Sequence, residues 1–318
     1  MELIVSAISI NGDDNLNIEL MAPTGAELPP FAPGAHIDIR TPAGHLRQYS
    51  LCGPADDRRH YNICVRKDHA SRGGSRTLHD DLRVRQKIEV SNPRNLFALP
   101  EAMRYILLSA GIGITPIISM ARQLTADGAD FEWHHFERHR SRVAFLHELT
   151  KELLNGKSTL HLGEDGQSFR HTILTCLVDP EPGTAILACG PNGFLDLLTT
   201  RLNEAGWPPN QIHSERFQPE TPTSQAATQS ESFEVRIASS GKSFMIGTAD
   251  TIANVLRKNG IEVELSCEQG MCGACLTRVL EGQPDHRDIV LSATEKEAGN
   301  QMTICCSRAK STLLVLDL

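Results

Sequence analysis

The sequence predicts a multidomain fold: a small antiparallel β-barrel, then an α/β domain with a parallel sheet, then an α+β domain of the β-grasp type. Short apolar strands separated by turn residues over residues 1–98 predict the barrel. Alternating strands and helices over residues 99–217 predict the parallel sheet. Residues 218–231, rich in Pro, Thr, Ser and Gln, have the composition of a linker. Residues 232–318 are therefore expected to form a separate C-terminal domain.

Length, charge and cysteine content exclude several classes of protein. The 318 residues are enough for two or three domains. A formal net charge of −8, without any basic tract, argues against a nucleic-acid partner and against a membrane surface. Nine cysteines, an odd number, favour a reducing compartment over a disulfide framework. Since the chain shows no signal-peptide pattern and no apolar run of membrane-spanning length, we expect a cytoplasmic protein.

Two stretches of the predicted barrel carry side chains suited to a phosphorylated ring compound. The first is Arg47-Gln48-Tyr49-Ser50, in which the arginine offers a charged fork for phosphate and the tyrosine offers a flat face. The second is Arg66, followed by a Gly-Gly-Ser turn that ends at Gly74 and Ser75. Each stretch alone is more typical of a surface strand or a plain turn. The predicted strands of the barrel are residues 3–10, 16–21, 36–40, 61–66 and 87–91.

Two predicted strands of the α/β domain end in residues suited to a nucleotide. The buried run 104–110 leads into Gly111-Ile-Gly113-Ile-Thr115-Pro116 and a helical pattern over 117–124, a setting that presents helix N–H groups to a pyrophosphate. The stretch lacks the dinucleotide fingerprint G-x-G-x-x-G, so packing glycines are the alternative. Strand 185–188 ends in Cys189-Gly190-Pro191. Because ligands bind beyond the carboxyl ends of parallel strands, the two turns together predict a nucleotide site.

The rest of the α/β pattern continues the alternation, and the C-terminal domain reads as α+β. The remaining predicted elements of the α/β domain are strands 131–136 and 159–162 and helices 144–154 and 194–203. Those of the C-terminal domain are strands 233–237, 277–280 and 313–316 and helix 252–259.

The most specific pattern lies in the C-terminal domain. Cys267, Cys272 and Cys275 are spaced C-x4-C-x2-C, which is the plant-type pattern for a 2Fe-2S cluster, and a fourth thiol follows at Cys305 or Cys306. Neighbours on an extended segment face opposite ways, so one of the last pair can be the ligand. We choose Cys305, because its spacing from Cys275 is the one expected of plant-type ferredoxins. A zinc site and inert cysteines are the alternatives, although zinc ligands usually come in short, regular pairs.

Taken together, these motifs resemble the phthalate dioxygenase reductase and vanillate O-demethylase reductase family, with carnitine monooxygenase reductases close to it. The resemblance covers essentially the whole chain. It rests on the stretches just described and on three further motifs, which are residues 92–97 (Asn-Pro-Arg-Asn-Leu-Phe), 281–287 (Glu-Gly-Gln-Pro-Asp-His-Arg) and the ending 313–318.

The resemblance implies an NADH-dependent oxidoreductase that splits a hydride into single electrons. NADH would reduce FMN, the FMN would reduce the 2Fe-2S cluster one electron at a time, and the cluster would serve a terminal oxygenase, expected to be of the Rieske type. Two rival functions stay open. One is an FAD-containing reductase for a P450 or a diiron oxygenase, and the other is a cluster-based redox sensor or binding protein. The oxygenase substrate is open among aromatic acids, methoxy-aromatics and quaternary amines.

The resemblance also assigns site residues. Those expected to take part in hydride transfer are Ser50, Thr115, Cys189 and Phe217. The flavin contacts are Arg47, Gln48, Tyr49, Ser50, Arg66, Gly74 and Ser75, with Phe217 covering the ring. The nicotinamide nucleotide contacts are Gly111, Gly113, Thr115, Pro116, Arg138, Cys189, Gly190 and Pro191. The cluster ligands are Cys267, Cys272, Cys275 and Cys305.

Two departures from the family pattern affect these assignments. Gln48 stands where a threonine is expected beside the flavin phosphate. The stretch from His134 to Arg142 is unusually basic where relatives carry a Tyr-Cys-x-Arg-Ser pattern, and Arg138 aligns with its arginine. This stretch is suited to the adenosine ribose or to a phosphate on it, so NADPH stays open beside the expected NADH.

Overall fold

The structure is a computed structural model that describes residues 1–68, 73–150, 157–217, 232–248, 250–265, 270, 273–288 and 290–318. The predicted linker, 218–231, lies outside the described residues, as do Cys267 and Cys272. The chain divides into two compact units, Met1–Phe217 and Gln218–Leu318. Within the described ranges, no helix is long and apolar enough to cross a membrane.

The first part of unit one is a curled antiparallel half-barrel, which confirms the predicted fold class for this region. One sheet has the strand order β5-β2-β1-β6, and β3 pairs with β4. Alternate residues such as Ile37 and Ile39 on β3 lie in one core with Leu3 and Val5 on β1, as the period of two requires. The elements are β1 (Glu2–Ile10), β2 (Asn15–Met21), β3 (His36–Arg40), β4 (Leu46–Ser50), β5 (His60–Arg66), α1 (Gly74–Asp80) and β6 (Lys87–Glu89).

A parallel sheet with the order β11-β10-β7-β8-β9 follows, as predicted. One face carries Leu107 and Trp133 and packs on α2. The other face carries Ile106 and Ile186 and packs on α4. Both faces are buried, which explains the continuous apolar runs of β7 and β10. The elements are β7 (Arg104–Ala110), α2 (Ile114–Ala126), β8 (Asp130–Glu137), α3 (Leu146–Thr150), β9 (Ser158–Leu162), β10 (Thr184–Gly190), α4 (Asn192–Glu204) and β11 (Ile212–Arg216).

Several boundaries of this sheet differ from the sequence prediction. Helix α2 begins at Ile114 rather than at residue 117, because a short 3-10 turn over Gly111–Gly113 leads directly into it. Strand β10 continues through Gly190 and stays hydrogen-bonded to its neighbours there, so Cys189 and Gly190 end a strand rather than forming the turn. The edge strand β11 was not predicted. Residues 151–156, inside the predicted helix 144–154, lie outside the described residues.

The half-barrel and the parallel sheet share one core and are joined by hydrogen bonds. The buried residues Cys52 and Cys64 of the half-barrel belong to the same cluster as the apolar side of α2. The Ser119 hydroxyl on α2 donates to the Gly53 carbonyl (3.2 Å), and the Arg122 guanidinium donates to the Cys52 carbonyl. The segment directly after Ser50 is therefore anchored on helix α2.

Unit two is a mixed α+β domain with the strand order β13-β12-β18-β14-β16 and a small β15–β17 pair. Helix α5 begins at a Thr251 cap, and α6 begins at a Ser292–Glu295 capping box. The elements are β12 (Phe233–Ile237), β13 (Ser243–Ile246), α5 (Ile252–Lys258), β14 (Leu276–Glu281), β15 (Pro284–Asp285), α6 (Ala293–Ala298), β16 (Gln301–Thr303), β17 (Arg308–Ala309) and β18 (Leu313–Leu316).

Candidate functional site

The two turns predicted for a nucleotide meet at the carboxyl edge of the parallel sheet. A Cβ atom at Gly113 would lie 2.3 Å from the Cys189 carbonyl oxygen and 2.6 Å from the Gly190 nitrogen. A Cβ atom at Gly190 would lie 2.8 Å from Cδ1 of Phe194. Backbone therefore lies directly against backbone here, which only glycine permits. The contact lies at the carboxyl edge, where parallel sheets bind their ligands.

The other predicted residues of this edge fall around that contact. Thr115 is buried in the first turn of α2, where its hydroxyl donates to the Ile112 carbonyl (3.0 Å). Pro116 is buried beside it, and Pro191 is exposed directly before α4. The Thr115 hydroxyl thus holds the glycine turn in place. Its contribution to ligand binding would be indirect, through the conformation of that turn.

Arg138 lies at the same edge but apart from the Gly113–Cys189 contact. It is exposed directly after β8, and its backbone N–H donates to the Glu137 carboxylate (2.8 Å). Its Cα lies 3.3 Å from the position that a Cβ at Gly163 would take. The structure therefore places Arg138 beside the end of β9, where an outlying part of a nucleotide would lie.

A carboxyl group that the sequence prediction missed faces this site. Glu215 on β11 pairs in parallel register with Cys189 on β10. Its Oε2 atom is shielded from solvent and has no hydrogen-bond partner among the described residues. Burial raises the pKa of Glu215 to about 8, and burial together with this carboxyl raises the pKa of the Cys189 thiol. A neutral carboxyl and a neutral thiol therefore stand side by side at the sheet edge.

Replacing Glu215 with Gln is expected to remove a pH dependence of stability. The folded chain keeps a proton on Glu215 up to about pH 8, whereas the unfolded chain loses it near the ordinary value of 4.5. The contribution of this group is therefore fully present below the lower value and is lost as the pH rises through the higher one. Thermal unfolding is measured for wild type and Glu215→Gln from pH 5 to pH 8. As the pH rises, the Tm of the variant should increase relative to the Tm of the wild type. The exposed Glu204→Gln is the control, and parallel curves for Glu215→Gln would contradict the assignment.

Phe217 ends the first unit close to the same core. It is partly buried and packs against the apolar cluster that contains Cys189 and Cys52. Cys52 follows Ser50 by two residues in the half-barrel. Phe217 follows directly after β11, whose last residue pairs with Gly190, so it lies at the carboxyl edge of the sheet.

The residues predicted for a flavin fall into two groups on the half-barrel. In the first, the Arg47 side chain covers the start of α1: a Cβ at Gly74 would lie 2.9 Å from Cγ of Arg47. Gly73, with φ of 108°, makes this tight entry into the helix. The Ser75 hydroxyl accepts a hydrogen bond from the Asp68 N–H (3.1 Å). The structure thus places Arg47 beside Gly74, at the helix start that also carries Ser75.

The second group lies along strand β4. Ser50 is buried and pairs with His36, and burial raises the pKa of Tyr49. The Gln48 side-chain nitrogen is buried and, among the described residues, has no hydrogen-bond partner. A buried donor without a partner costs free energy unless a ligand or water satisfies it. Gln48 thus has an amide donor at the position where a threonine is expected, and Tyr49 is partly buried against the core of the half-barrel.

Arg66 joins the two halves of unit one rather than standing free for a phosphate. Its guanidinium donates to the Glu137 carboxylate (2.7 Å), which links the end of β5 to the end of β8. A Cβ at Gly111 would lie 2.8 Å from the same guanidinium. Arg66 Nε is buried with no partner within the described part of the chain.

The described thiols of the C-terminal unit cluster as the spacing predicts. Cys275 and Cys305 are both buried and belong to one core. The thiol of Cys305 interacts with those of Cys275 and Cys306, and these neighbours raise its pKa. Gly270 and Gly273 have φ of 72° and 71°, and a Cβ at Gly270 would lie 2.4 Å from Cys306 Sγ. Gly270 and Gly273 therefore have the positive φ that a tight turn around an iron–sulfur cluster favours, and the described cysteines fit that group.

A groove of about 510 Å³ lies elsewhere, between the half-barrel and the sheet. Asn11, Cys52, Arg122 and Phe145 are among its lining residues, and it includes none of the predicted site residues. It is a seam between the two halves of unit one.

A half-barrel and a parallel sheet with a glycine-rich edge, followed by a domain with clustered cysteines, define the class of this protein: an oxidoreductase with a ferredoxin domain. Residues 235–310 match the family model described as "2Fe-2S iron-sulfur cluster binding domain", which confirms the predicted cluster.

Similar proteins refine this class. The chain is 42% identical over 321 residues to a vanillate O-demethylase oxidoreductase of Pseudomonas sp. (strain HR199 / DSM 7063), covering 100% of both. It matches a solved phthalate dioxygenase reductase, described as modular and transferring electrons from pyridine nucleotides to 2Fe-2S, at 38% identity and a TM-score of 0.76, covering 100% and 98%. It also matches 41% of a self-sufficient cytochrome P450 monooxygenase, at 38% identity and a TM-score of 0.82, covering 100% of this chain. The chain belongs to the vanillate O-demethylase oxidoreductase and phthalate dioxygenase reductase family, whose members are reductase components of oxygenase systems.

Proposed function

We propose that this protein takes a hydride from NADH onto FMN and delivers single electrons through its 2Fe-2S cluster to a terminal oxygenase of the Rieske type. One observation carries the proposal: a single chain contains both a glycine-rich sheet edge suited to a nucleotide and a cluster of cysteines. This chain also matches a known oxygenase reductase over its full length. The cytoplasm is the expected compartment, because nine cysteines with cluster ligands among them suit a reducing environment.

At the nucleotide edge, each residue has a distinct proposed role. Gly111 and Gly113 let the backbone approach the pyrophosphate, which Thr115 supports by holding the turn. Cys189 and Glu215 would contact the nicotinamide end, since they are paired neighbours at the carboxyl ends of adjacent strands and the pKa of each is raised. The adenosine end would lie near Arg138. The remaining predicted contacts at this edge are Pro116, Gly190 and Pro191.

On the half-barrel, Arg47, Gly74 and Ser75 would hold the flavin phosphate, and Tyr49 would pack on the ring. Gln48, Ser50 and Arg66 offer further polar contacts, and Phe217 would cover the ring. When bound, a flavin accepts two electrons and releases them one at a time, which a nicotinamide cannot do.

In the C-terminal unit, the four proposed cluster ligands are Cys267, Cys272, Cys275 and Cys305. Of these, Cys275 and Cys305 lie within the described residues. A boundary near residue 98 and a linker over 218–231 complete the proposed domain organisation. The terminal oxygenase would bind to the ferredoxin domain, because that domain holds the last electron carrier of the proposed route.

Two measurements test the choice of nucleotide and flavin. Stopped-flow mixing of the purified, cofactor-replete protein with NADH or NADPH is expected to bleach the flavin faster with NADH, and faster bleaching with NADPH would contradict the choice. The mass of the flavin released on denaturation is expected to be that of FMN. Release of FAD would overturn the cofactor assignment while leaving the electron route intact.

A P450 partner is the second candidate function, favoured by the likeness to part of a self-sufficient P450 monooxygenase. The two candidates differ in the acceptor. NADH-driven reduction of a Rieske oxygenase from the host should proceed at a rate that supports turnover, whereas reduction of a host P450 should not exceed background. The reverse order of rates would favour the P450 candidate.

A further inference from the structure

A second cluster of metal-ligating side chains lies on the parallel sheet, on the face that packs against α4. Glu132 and His134 are alternate residues of β8 and therefore point to the same side of the sheet. Cys176 reaches them from a 3-10 turn, Thr175–Leu177, in the connection between β9 and β10. One ligand atom from each of the three residues lies within 4.8 Å of the others.

The distances within this cluster match a tetrahedral metal centre. Cys176 Sγ lies 3.7 Å from His134 Nε2, and His134 Nε2 lies 3.5 Å from Glu132 Oε2. A tetrahedral Zn²⁺ with bonds of about 2.3 Å to sulfur, about 2.05 Å to nitrogen and about 2.0 Å to oxygen holds sulfur and nitrogen about 3.6 Å apart and nitrogen and oxygen about 3.3 Å apart. Each observed distance is slightly longer than the ideal value. Small rotations of these flexible side chains would close the difference.

Outer contacts orient two of the three ligands. His134 Nδ1 lies 3.0 Å from Nε2 of His161, so a proton on Nδ1 leaves Nε2 free for a metal. His161 is itself fixed by stacking on Phe136, with ring centroids 4.4 Å apart. The Arg104 guanidinium donates to Glu132 Oε1 (2.7 Å), which leaves Oε2 directed at the cluster. Hydrogen-bonded partners outside the ligand set fix the orientation of metal-binding side chains in this way.

The third ligand is held in place from the α4 side. The Trp207 indole N–H donates to the carbonyl of Leu177, next to Cys176 (3.0 Å). The Arg201 guanidinium on α4 donates to the carbonyls of Phe169 (2.8 Å) and Thr172 (3.0 Å) in the same connection. The cluster remains reachable from solvent, since the side chains of Glu132 and His134 are 30% and 13% exposed. A metal ion can therefore enter without unfolding the connection.

We propose that Glu132, His134 and Cys176 bind a zinc ion that ties strand β8 to the β9–β10 connection. A thiolate, an imidazole and a carboxylate form a mixed donor set that suits Zn²⁺, and a water molecule takes the fourth position. Binding forms a Zn–S bond as the Cys176 thiol loses its proton to the solvent. The site is separate from the nucleotide edge and from the cluster ligands, so it does not depend on the proposed function.

The test uses the full-length protein with flavin and cluster in place, dialysed against chelator-buffered Zn²⁺. We expect wild type to contain one more zinc ion per chain than Cys176→Ser. Zinc K-edge EXAFS of wild type should show one sulfur at about 2.3 Å and nitrogen or oxygen atoms at about 2.0–2.1 Å. His161→Phe keeps the ring but removes the acceptor for His134, so it should weaken binding by about 10- to 100-fold. His134→Gln should weaken binding further.

The exposed pair His139–Glu164 (3.1 Å) provides the matched control, because it offers imidazole and carboxylate without a thiol. His139→Gln should bind zinc as wild type does. A shell of four sulfurs would place the zinc in the cysteine loop of the ferredoxin domain and overturn the proposal. Unchanged zinc content in Cys176→Ser would also overturn it. The EXAFS measurement on wild type decides the matter even if a variant fails to fold.

Discussion

Replacing Cys305 with Ser is expected to abolish electron delivery to an external acceptor while NADH still reduces the flavin. The proposed cluster ligands belong to the C-terminal unit, whereas the nucleotide and flavin residues belong to Met1–Phe217. Loss of one thiolate from a set of four removes the 2Fe-2S cluster or its function. Cytochrome c reduction should fall to background, the reduced protein should lose its iron–sulfur EPR signal, and stopped-flow bleaching of the flavin should keep its wild-type rate.

The adjacent Cys306 provides the matched control. Cys306→Ser changes a neighbouring thiol in the same way but should retain iron, the EPR signal and cytochrome c reduction. Cys272→Ser, at a position outside the described residues, should behave as Cys305→Ser does. If Cys306→Ser loses the cluster and Cys305→Ser keeps it, the fourth ligand is Cys306. Wild-type cytochrome c reduction in Cys272→Ser would contradict the proposed order of electron transfer.

Replacing Gly113 with Ala is expected to have the largest effect at the nucleotide edge. The added Cβ would lie 2.3 Å from the Cys189 carbonyl, so the glycine turn and the end of β10 must move apart. Displacement of a reacting pair by about 1 Å can slow a reaction by about 100-fold. We therefore expect a higher KM for NADH and flavin reduction slower by about that factor, measured by stopped flow over a range of NADH concentrations.

Gly193→Ala is the control for this variant. Gly193 lies in the first turn of α4, at the same edge, and a Cβ there would meet nothing within 4 Å. Flavin reduction should be unchanged, and helix stability should rise by up to about 1 kcal/mol. Wild-type kinetics in Gly113→Ala would show that the contact with Cys189 does not shape the nucleotide site.

The parts of the fold that local pattern specifies were predicted well. Strand β7 was placed at its observed bounds because both faces of the parallel sheet are buried and its residues form one apolar run. Strand β3 was placed equally well from its alternation of Ile37 and Ile39 with polar residues. The cysteine spacing predicted the ferredoxin domain, which the family match confirms.

The parts that depend on distant pairing were missed. Strand β11 is an edge strand of half-buried, mostly polar residues, so no apolar run marks it. Its Glu215 became visible as a site residue only through its register with Cys189. The bond between Arg66 and Glu137 joins residues 71 positions apart, and no local pattern predicts it. The assembly of Glu132, His134 and Cys176 likewise requires a connection between strands to fold back over the sheet.

The geometry of unit one supports several of the roles proposed for individual site residues. Arg47 and Gly74 were predicted from separate weak motifs, and the structure brings them into contact. Gly113 and Cys189 came from two strand ends, and parallel strands place such ends at one edge. Thr115 shows the limit of a motif, because its hydroxyl bonds to the turn that a nucleotide would meet.

Single-turnover stopped flow with one equivalent of NADH tests the central claim most directly. The wild-type protein should show flavin absorbance falling first and cluster absorbance falling afterwards, and Cys305→Ser should show the first phase alone. Reduction of the cluster by NADH in protein without flavin, or a preparation containing neither flavin nor iron at two per chain, would contradict the account.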